Sequence, residues 1–300
     1  MKKVSLLILV TLGIISCNKN SEKADGYGNF EATEITVSSE GNGKIDFLQV
    51  QEGTILESQM QVGLIDTVQL YLTKQQLIAS KSTVSSKSAN VMSQKSVLEE
   101  QLKTVQIEKK RIFEMFTENA ATKRQVDEIN GKVKVIEAQI RAVGTQNAPI
   151  INDLKSIDVQ IMKINDQIQK SKIINPIKGT VLTKYAEPGE ITTFCKPLYK
   201  IADISEMTLR VFVSETQLPQ LKIGQEVSVK IDGIEAMKSF SGTISWIASQ
   251  AEFTPKIIQT KEERVNLVYA VKVKVKNDGS LKIGMPAEMW INNELNNTKN

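Results

Sequence analysis

The sequence has no histidine in 300 residues. That removes Ser-His-Asp triads, histidine general bases and histidine metal sites together. It has 2 cysteines, too few for a zinc site of their own. Aromatic residues make up 5% of the chain and charged residues 24%. That balance suits long polar helices and small β modules better than one large core. No nucleophile elbow, phosphate loop or metal-ligand cluster is present, so we expect no enzyme activity, no cofactor and no metal. The formal charge of +4 is modest, and Lys and Arg are scattered beside Glu and Asp. These are solvated faces, not a nucleic-acid footprint. The apolar run Val4 to Ile15 spans only about a dozen residues, short of a comfortable membrane span.

That run follows Met1-Lys2-Lys3 and fits the core of a secretory signal. It ends in Ile14-Ile15-Ser16-Cys17, followed by the polar Asn18-Lys19-Asn20-Ser21-Glu22-Lys23. This arrangement resembles the bacterial lipoprotein box and implies cleavage before Cys17 and acylation of Cys17. Residues 1–16 are then a signal peptide and 17–29 a lipidated tether. The mature chain sits in the periplasm of a Gram-negative bacterium, held by lipid to a membrane, the inner one preferred. An ordinary signal peptide with an incidental cysteine is the alternative.

Residues 68–172 carry apolar residues at a 3,4 spacing. The second half runs Val126, Ile129, Val133, Ile136, Ile140, Val143, then Ile150, Leu154, Ile157, Ile161, Ile164, Ile168. This is the narrow seam of a coiled coil. The first half shows Leu98, Leu102, Val105, Ile112 and Phe116, with Lys109 interrupting the register. A turn at 117–122 separates two arms of about fifty residues, so the spacing predicts an antiparallel hairpin with arms of roughly 75 Å at 1.5 Å per residue. Gly144 to Pro149 must break or kink the return helix. The outgoing stretch 82–91 is rich in Ser and Thr, poor helix formers. We expect matched breaks near 82–91 and 144–150, giving two stacked helical pairs.

Short alternating, glycine-punctuated runs flank the hairpin: Gly43 to Leu56 and Gln61 to Asp66 before it, and Ile174 to Leu182, Glu187 to Ile191 and Pro197 to Asp203 after it. Neither set buries its apolar face alone. Together they predict one β-sandwich with the hairpin inserted between its halves. The two halves, with Asn175-Pro176-Ile177-Lys178-Gly179-Thr180-Val181, resemble the split lipoyl-like domain of HlyD-family periplasmic adaptors, or membrane fusion proteins. Residues 30–67 are then an N-terminal strand and the first half, and 173–204 the second half.

From Met207 onward several short strands with turns at Gly224, Asp232-Gly233 and Asn277-Asp278-Gly279 predict a small β-barrel over 205–292, with a tail at 293–300. Leu221-Lys222-Ile223-Gly224 and Leu281-Lys282-Ile283-Gly284 resemble the family's barrel turns. Ala251 to Lys256 with Gln259 to Arg264 resembles a segment of adaptors that serve ABC-type exporters. The chain ends soon after the barrel, so the family's membrane-proximal module is expected to be reduced or absent. Glu235-Ala236-Met237-Lys238 matches the centre of a biotin-attachment motif, but it lies outside the lipoyl-like halves, and we read Lys238 as an ordinary turn lysine. Cys195, before a strand, is expected to be a small buried hydrophobe.

The fold class is therefore α+β, multidomain and elongated. The family resemblance implies a link between an inner-membrane transporter, ABC-type first and proton-driven (RND-type) second, and a TolC-like outer-membrane tunnel protein, with the copies forming a hexameric ring. Arg111, Met115 and Thr122 have the spacing of the family's hairpin-tip residues, which implies docking on the tunnel protein. The competing reading makes Arg111 a surface residue, Met115 a seam residue and Thr122 a helix cap, since Thr122 with Gln125 is a capping-box pattern. A structural coiled-coil lipoprotein that spaces the envelope is the alternative function.

Overall fold

The computed structural model describes residues 23–234, 236–253 and 267–291. The signal peptide, Cys17, the first part of the tether, Glu235, most of the segment likened to ABC-linked adaptors and the 293–300 tail lie outside the described residues. The chain divides into two compact units. Among the described residues no helix is long and apolar enough to cross a membrane.

One unit is a barrel. Its strands are β1 (Gly26–Glu31), with β10 (Glu206–Ser214), β11 (Glu226–Ile231), β12 (Lys238–Ile247), β14 (Leu267–Lys276) and β15 (Pro286–Ile291), numbered in chain order with those of the other unit. They run in the order β10-β1-β15-β11-β12-β14, and β14 pairs back to β10. A two-residue strand, β13 (Glu252–Phe253), adds to β14. Strict alternation drives the closure: in β10, Met207, Leu209, Val211 and Val213 point inward and are buried, with polar or half-exposed neighbours between them. Phe30, Met289, Val229 and Val273 fill the interior beside them. The tetrapeptide Leu-Lys-Ile-Gly occurs twice and builds the same turn twice. Leu221 and Leu281 are buried, and Gly224 (φ 87°) and Gly284 (φ 81°) take the left-handed conformation.

The barrel corrects the expected tether. Gly26 to Asn29 are not a linker but most of β1, paired to β10 on one side and β15 on the other. Phe30 is its buried anchor. Gly28 lies so close to β10 that a Cβ there would stand 1.8 Å from the Arg210 carbonyl oxygen. A strand with two glycines and an asparagine carries a weak β signal, so its place is set by this close packing.

The other unit carries the hairpin. Its strands are β2 (Glu34–Ser38), β3 (Gly43–Leu48), β4 (Ile55–Leu56) and β5 (Gln61–Ile65) before the helices, and β6 (Lys172–Ile174), β7 (Gly179–Lys184), β8 (Ile191–Thr192) and β9 (Pro197–Ala202) after them. Two four-stranded sheets form, β2-β9-β7-β4 and β6-β5-β3-β8. Each mixes strands from both sides of the hairpin; in the second, Gly43 pairs with Thr192 and Gly63 with Ile173. The Ile65 amide donates to the Ser171 carbonyl at 2.9 Å, so the first residues of the outgoing arm and the last of the return arm start from neighbouring strands.

Asn175 is the hub of this unit and is fully buried. Its side-chain amide donates to the Glu57 carbonyl at 2.8 Å, and its Oδ1 accepts from the Tyr199 hydroxyl at 3.0 Å. Its backbone amide donates to Met60 and its carbonyl accepts from Gln59. One side chain thus ties the loop before the hairpin to a strand after it. Burial pushes the Tyr199 hydroxyl up to about 12. Cys195 corrects another expectation: it is exposed, at φ 65°, with its amide bound to the Ser39 carbonyl. The turn fixes the backbone there and aims the side chain at solvent.

Candidate functional site at the hairpin tip

The hairpin consists of α1 (Val68–Thr117), α2 (Lys123–Thr145) and α3 (Asn147–Lys170). The outgoing arm is one helix of 50 residues, so the expected break at 82–91 is absent. That stretch contains no glycine or proline. Hydroxyls bond back to the preceding turn, as Thr83 does to the Ala79 carbonyl and Ser86 to the Ser82 carbonyl, so they are satisfied inside the helix and do not draw the backbone into a turn. Leu70, Leu77, Val84, Val91, Leu98, Val105 and Ile112 form one half-buried rank at seven-residue spacing. Lys74, Lys81, Ser88, Lys95, Leu102 and Lys109 form the second. The seam is thus half apolar and half polar on this arm. The lysine stems lie along the partner helices with their heads in water, and Lys81 reaches Asp158 at 2.6 Å.

The return arm is interrupted at Gln146 alone. Pro149 sits in the first turn of α3, where its missing N–H costs nothing. Ser88 on α1 donates to the Asn147 side chain at 2.7 Å, so the interruption is held across the seam. The stacked-pair expectation therefore becomes one continuous helix against two.

At the far end α1 closes with Asn119 in the left-handed conformation at φ 58°, and the Ala120 amide donates to the Met115 carbonyl. Thr122 caps α2. Its hydroxyl accepts from the Gln125 amide at 3.3 Å, and the Gln125 side chain accepts from the Thr122 amide at 2.7 Å, a full capping box. Val126, Ile129 and Val133 follow as the buried seam residues of α2.

Arg111 and Met115 lie one turn apart on α1, and Thr122 begins the return arm; all three are exposed. The Arg111 guanidinium pairs with Glu108 at 3.1 Å, a solvent-exposed pair one turn back. Met115 is 41% exposed, so it is not a seam residue. No hydrogen bond or ion pair joins the three to one another among the described residues. Phe116, expected as a seam residue, is 40% exposed, and Phe113, which the seam reading does not single out, is 43% exposed. Phe116 continues the seam spacing but falls where the chain turns away, so it meets water and not the return helix. Phe113, Met115 and Phe116 are three large apolar side chains exposed in the last turns of α1 on different sides of the helix, among the exposed charged residues Lys110, Arg111, Glu114 and Glu118.

No family model matches the sequence. The UPF0194 membrane protein YE2891 of Yersinia enterocolitica is 36% identical over 120 residues, which cover 40% of this chain and 36% of that protein. The match thus spans little more than a third of the relative's length. Two solved structures superpose over nearly the whole chain. MacA from Actinobacillus actinomycetemcomitans matches with a TM-score of 0.52 at 19% identity, over 88% of this chain and 76% of its own. The membrane fusion protein Spr0693 from Streptococcus pneumoniae R6 matches with a TM-score of 0.50 at 18% identity, over 89% and 97%. The fold is shared with membrane fusion proteins. At these identities the likeness extends to architecture, a helical hairpin with β modules, and not to individual residues of the tip.

Lys238 is engaged: its ammonium bonds to Asp278 at 2.6 Å and Ser280 at 3.2 Å, and stands 4.9 Å from the Phe240 ring. Lys238, then the Ser280 contacts, hold the Asp278 carboxyl below its ordinary range. Glu252, in the described part of the segment likened to ABC-linked adaptors, holds Arg210 through both carboxylate oxygens, at 3.0 and 2.7 Å. Among the described residues no group of three or more His, Cys, Asp or Glu could hold a metal ion.

Proposed function

We propose that this chain is a non-enzymatic periplasmic adaptor of the HlyD type, a lipoprotein anchored through Cys17. In this reading the two small sheets are a lipoyl-like module split by the hairpin. Several copies form a ring, with six as the expected number. The ring links an inner-membrane transporter, ABC-type first and proton-driven second, to a TolC-like tunnel protein in the outer membrane. The observation that supports the reading is the tip: three exposed large apolar side chains at the end of a long hairpin whose two ends begin in one β module. A passive envelope spacer has no use for Phe113, Met115 and Phe116 in water, where their exposure is unfavourable. Arg111, Met115 and Thr122 are the assigned docking residues, and the two phenylalanines join them. The test is export in cells carrying Arg111→Asp. Export should fail while expression, lipidation and folding persist; unchanged export removes Arg111 from the docking site.

A further inference from the structure

In the barrel, β12 departs from strict alternation at one point. Gly242 and Ile244 face the interior and are buried, so residue 246 should face inward too. A bulge between Ile244 and Trp246 shifts the register instead, and Ile247 packs on the core in its place. Trp246 is thereby turned outward and is 41% exposed. The Ser245 hydroxyl donates to the Lys272 carbonyl at 3.0 Å, and the Lys272 ammonium stands 5.4 Å from the Trp246 ring. Alongside lies the first Leu-Lys-Ile-Gly turn. The Gly224 amide donates to the Ile244 carbonyl at 2.8 Å and the Ile244 amide to the Gln225 carbonyl at 2.9 Å. Ile223, 69% exposed, is thus held beside the same stretch of β12. A tryptophan and an isoleucine turned to water give up apolar burial. A bulge that exposes the tryptophan points to something that covers it.

The path of the chain says what lies near. β1, β15, β11 and β12 pair antiparallel in turn, so the start of β1 and the end of β12 are at the same end of the barrel. There the Asp25 amide donates to the Met289 carbonyl at 3.0 Å, and its Oδ2 accepts from the Ile291 amide at 2.7 Å. These two bonds fix where the chain enters. Cys17 is eight residues earlier, a span of at most about 29 Å fully extended. A lipid on Cys17 therefore keeps this end of the barrel close to the bilayer. Indole rings favour the headgroup level of a bilayer, and lysine ammonium groups beside them reach its phosphates. Among the described residues neither Lys222 nor Lys272 is paired with a carboxylate.

We propose that this end of the barrel rests on the phospholipid surface that holds the anchor. Trp246 and Ile223 enter the headgroup layer, and Lys222 and Lys272 meet lipid phosphates. The acyl chains alone leave the barrel free to swing on its tether; this contact sets its orientation on the membrane. The proposal rests on the adaptor reading in one respect, the lipid on Cys17. Its test reads the anchor and the contact separately and involves neither export nor the hairpin tip.

The chain has 2 tryptophans, so its own fluorescence reports the contact. The full-length protein, purified from membranes, is reconstituted into vesicles of phosphatidylethanolamine and phosphatidylglycerol, with and without brominated acyl chains. Trp290→Phe leaves Trp246 as the sole emitter; the parent with both tryptophans is measured beside it, so a misfolded variant does not decide the result. Bromine should quench Trp246 several-fold and the vesicles should shield it from iodide. Lys222→Glu with Lys272→Glu should remove most of the quenching while the protein still floats with the vesicles. A protein that floats with Trp246 unquenched overturns the proposal and leaves the anchor standing. Shielding from iodide without bromine quenching means that another copy of the chain covers Trp246, and also overturns it. So does quenching indifferent to the charge reversals. A protein that does not float removes the lipid on Cys17 and the proposal together.

Discussion

The Ser88 hydroxyl donates across the hairpin to the Asn147 side-chain oxygen at 2.7 Å, and Asn147 is the first residue of α3. The return arm therefore restarts against a fixed point on an unbroken helix. Asn147→Ala should cost about 1 kcal/mol, the usual net worth of one such bond, and concentrate the loss locally. Amide hydrogen exchange at 143–150 should accelerate while exchange at the tip and in the barrel stays constant. Equal acceleration along the whole hairpin contradicts this.

Thr122→Ala removes the acceptor for the Gln125 amide and should cost about 1 kcal/mol. Thr122→Asp or Thr122→Ser should retain the cap. If Thr122 acts in docking only through the cap, the serine and aspartate variants both support export. If its hydroxyl touches the partner, serine works and aspartate fails. Export assays on the three variants, beside exchange rates at 123–126, separate the two roles that the sequence left open.

Tyr199 makes the unit's stability pH-dependent at the alkaline end. Its hydroxyl titrates at about 12 in the folded chain, against 10.0 for the ordinary side chain, because burial opposes the phenolate. The unfolded chain therefore releases this proton first. The stabilisation is complete below the ordinary value and is lost as pH rises through the folded one. Tyr199→Phe lacks this component. It should be less stable near neutrality by about 1 kcal/mol for the lost bond to Asn175, and the gap to the parent should shrink from about pH 10 upward. Urea unfolding of both proteins across that window measures it; a gap that widens instead contradicts the burial of Tyr199.

Gly28→Ala places a methyl carbon against the Arg210 carbonyl, where no flexible side chain can yield. β1 must leave β10, and a loss of roughly 4 kcal/mol or more is expected, at the upper end for one substitution. Cleavage by protease at residues near 26–31 should rise sharply. Gly131→Ala, with open space around the position, serves as control and should leave the chain intact.

The hairpin, the paired β segments and the barrel were legible because their patterns are long or repeated: Ile at 3,4 spacing, and Leu-Lys-Ile-Gly twice. Three features were not. β1 hides in Gly26-Tyr27-Gly28-Asn29 because its place depends on close backbone approach, which composition does not report. At 82–91 serine propensity alone signals a break, whereas the rank Leu77, Val84, Val91 and Leu98 holds the helix, and alternate lysines mask that rank in the sequence. Cys195 was assigned by the habits of its residue type, whereas its turn decides its exposure. At the tip, Arg111, Met115 and Thr122 came from spacing. Phe116 reads as a seam residue because seam periodicity gives no warning of where the partner helix ends, and Phe113 lies off that periodicity.

The central claim is that the hairpin tip meets an outer-membrane partner. A photo-crosslinking residue at Thr117 in the full-length chain, irradiated in living cells, tests it most directly. The account predicts one dominant adduct, with an outer-membrane tunnel protein, lost on Arg111→Asp. A tip that links only to lipid, to another copy of this chain or to nothing contradicts it and favours a passive spacer.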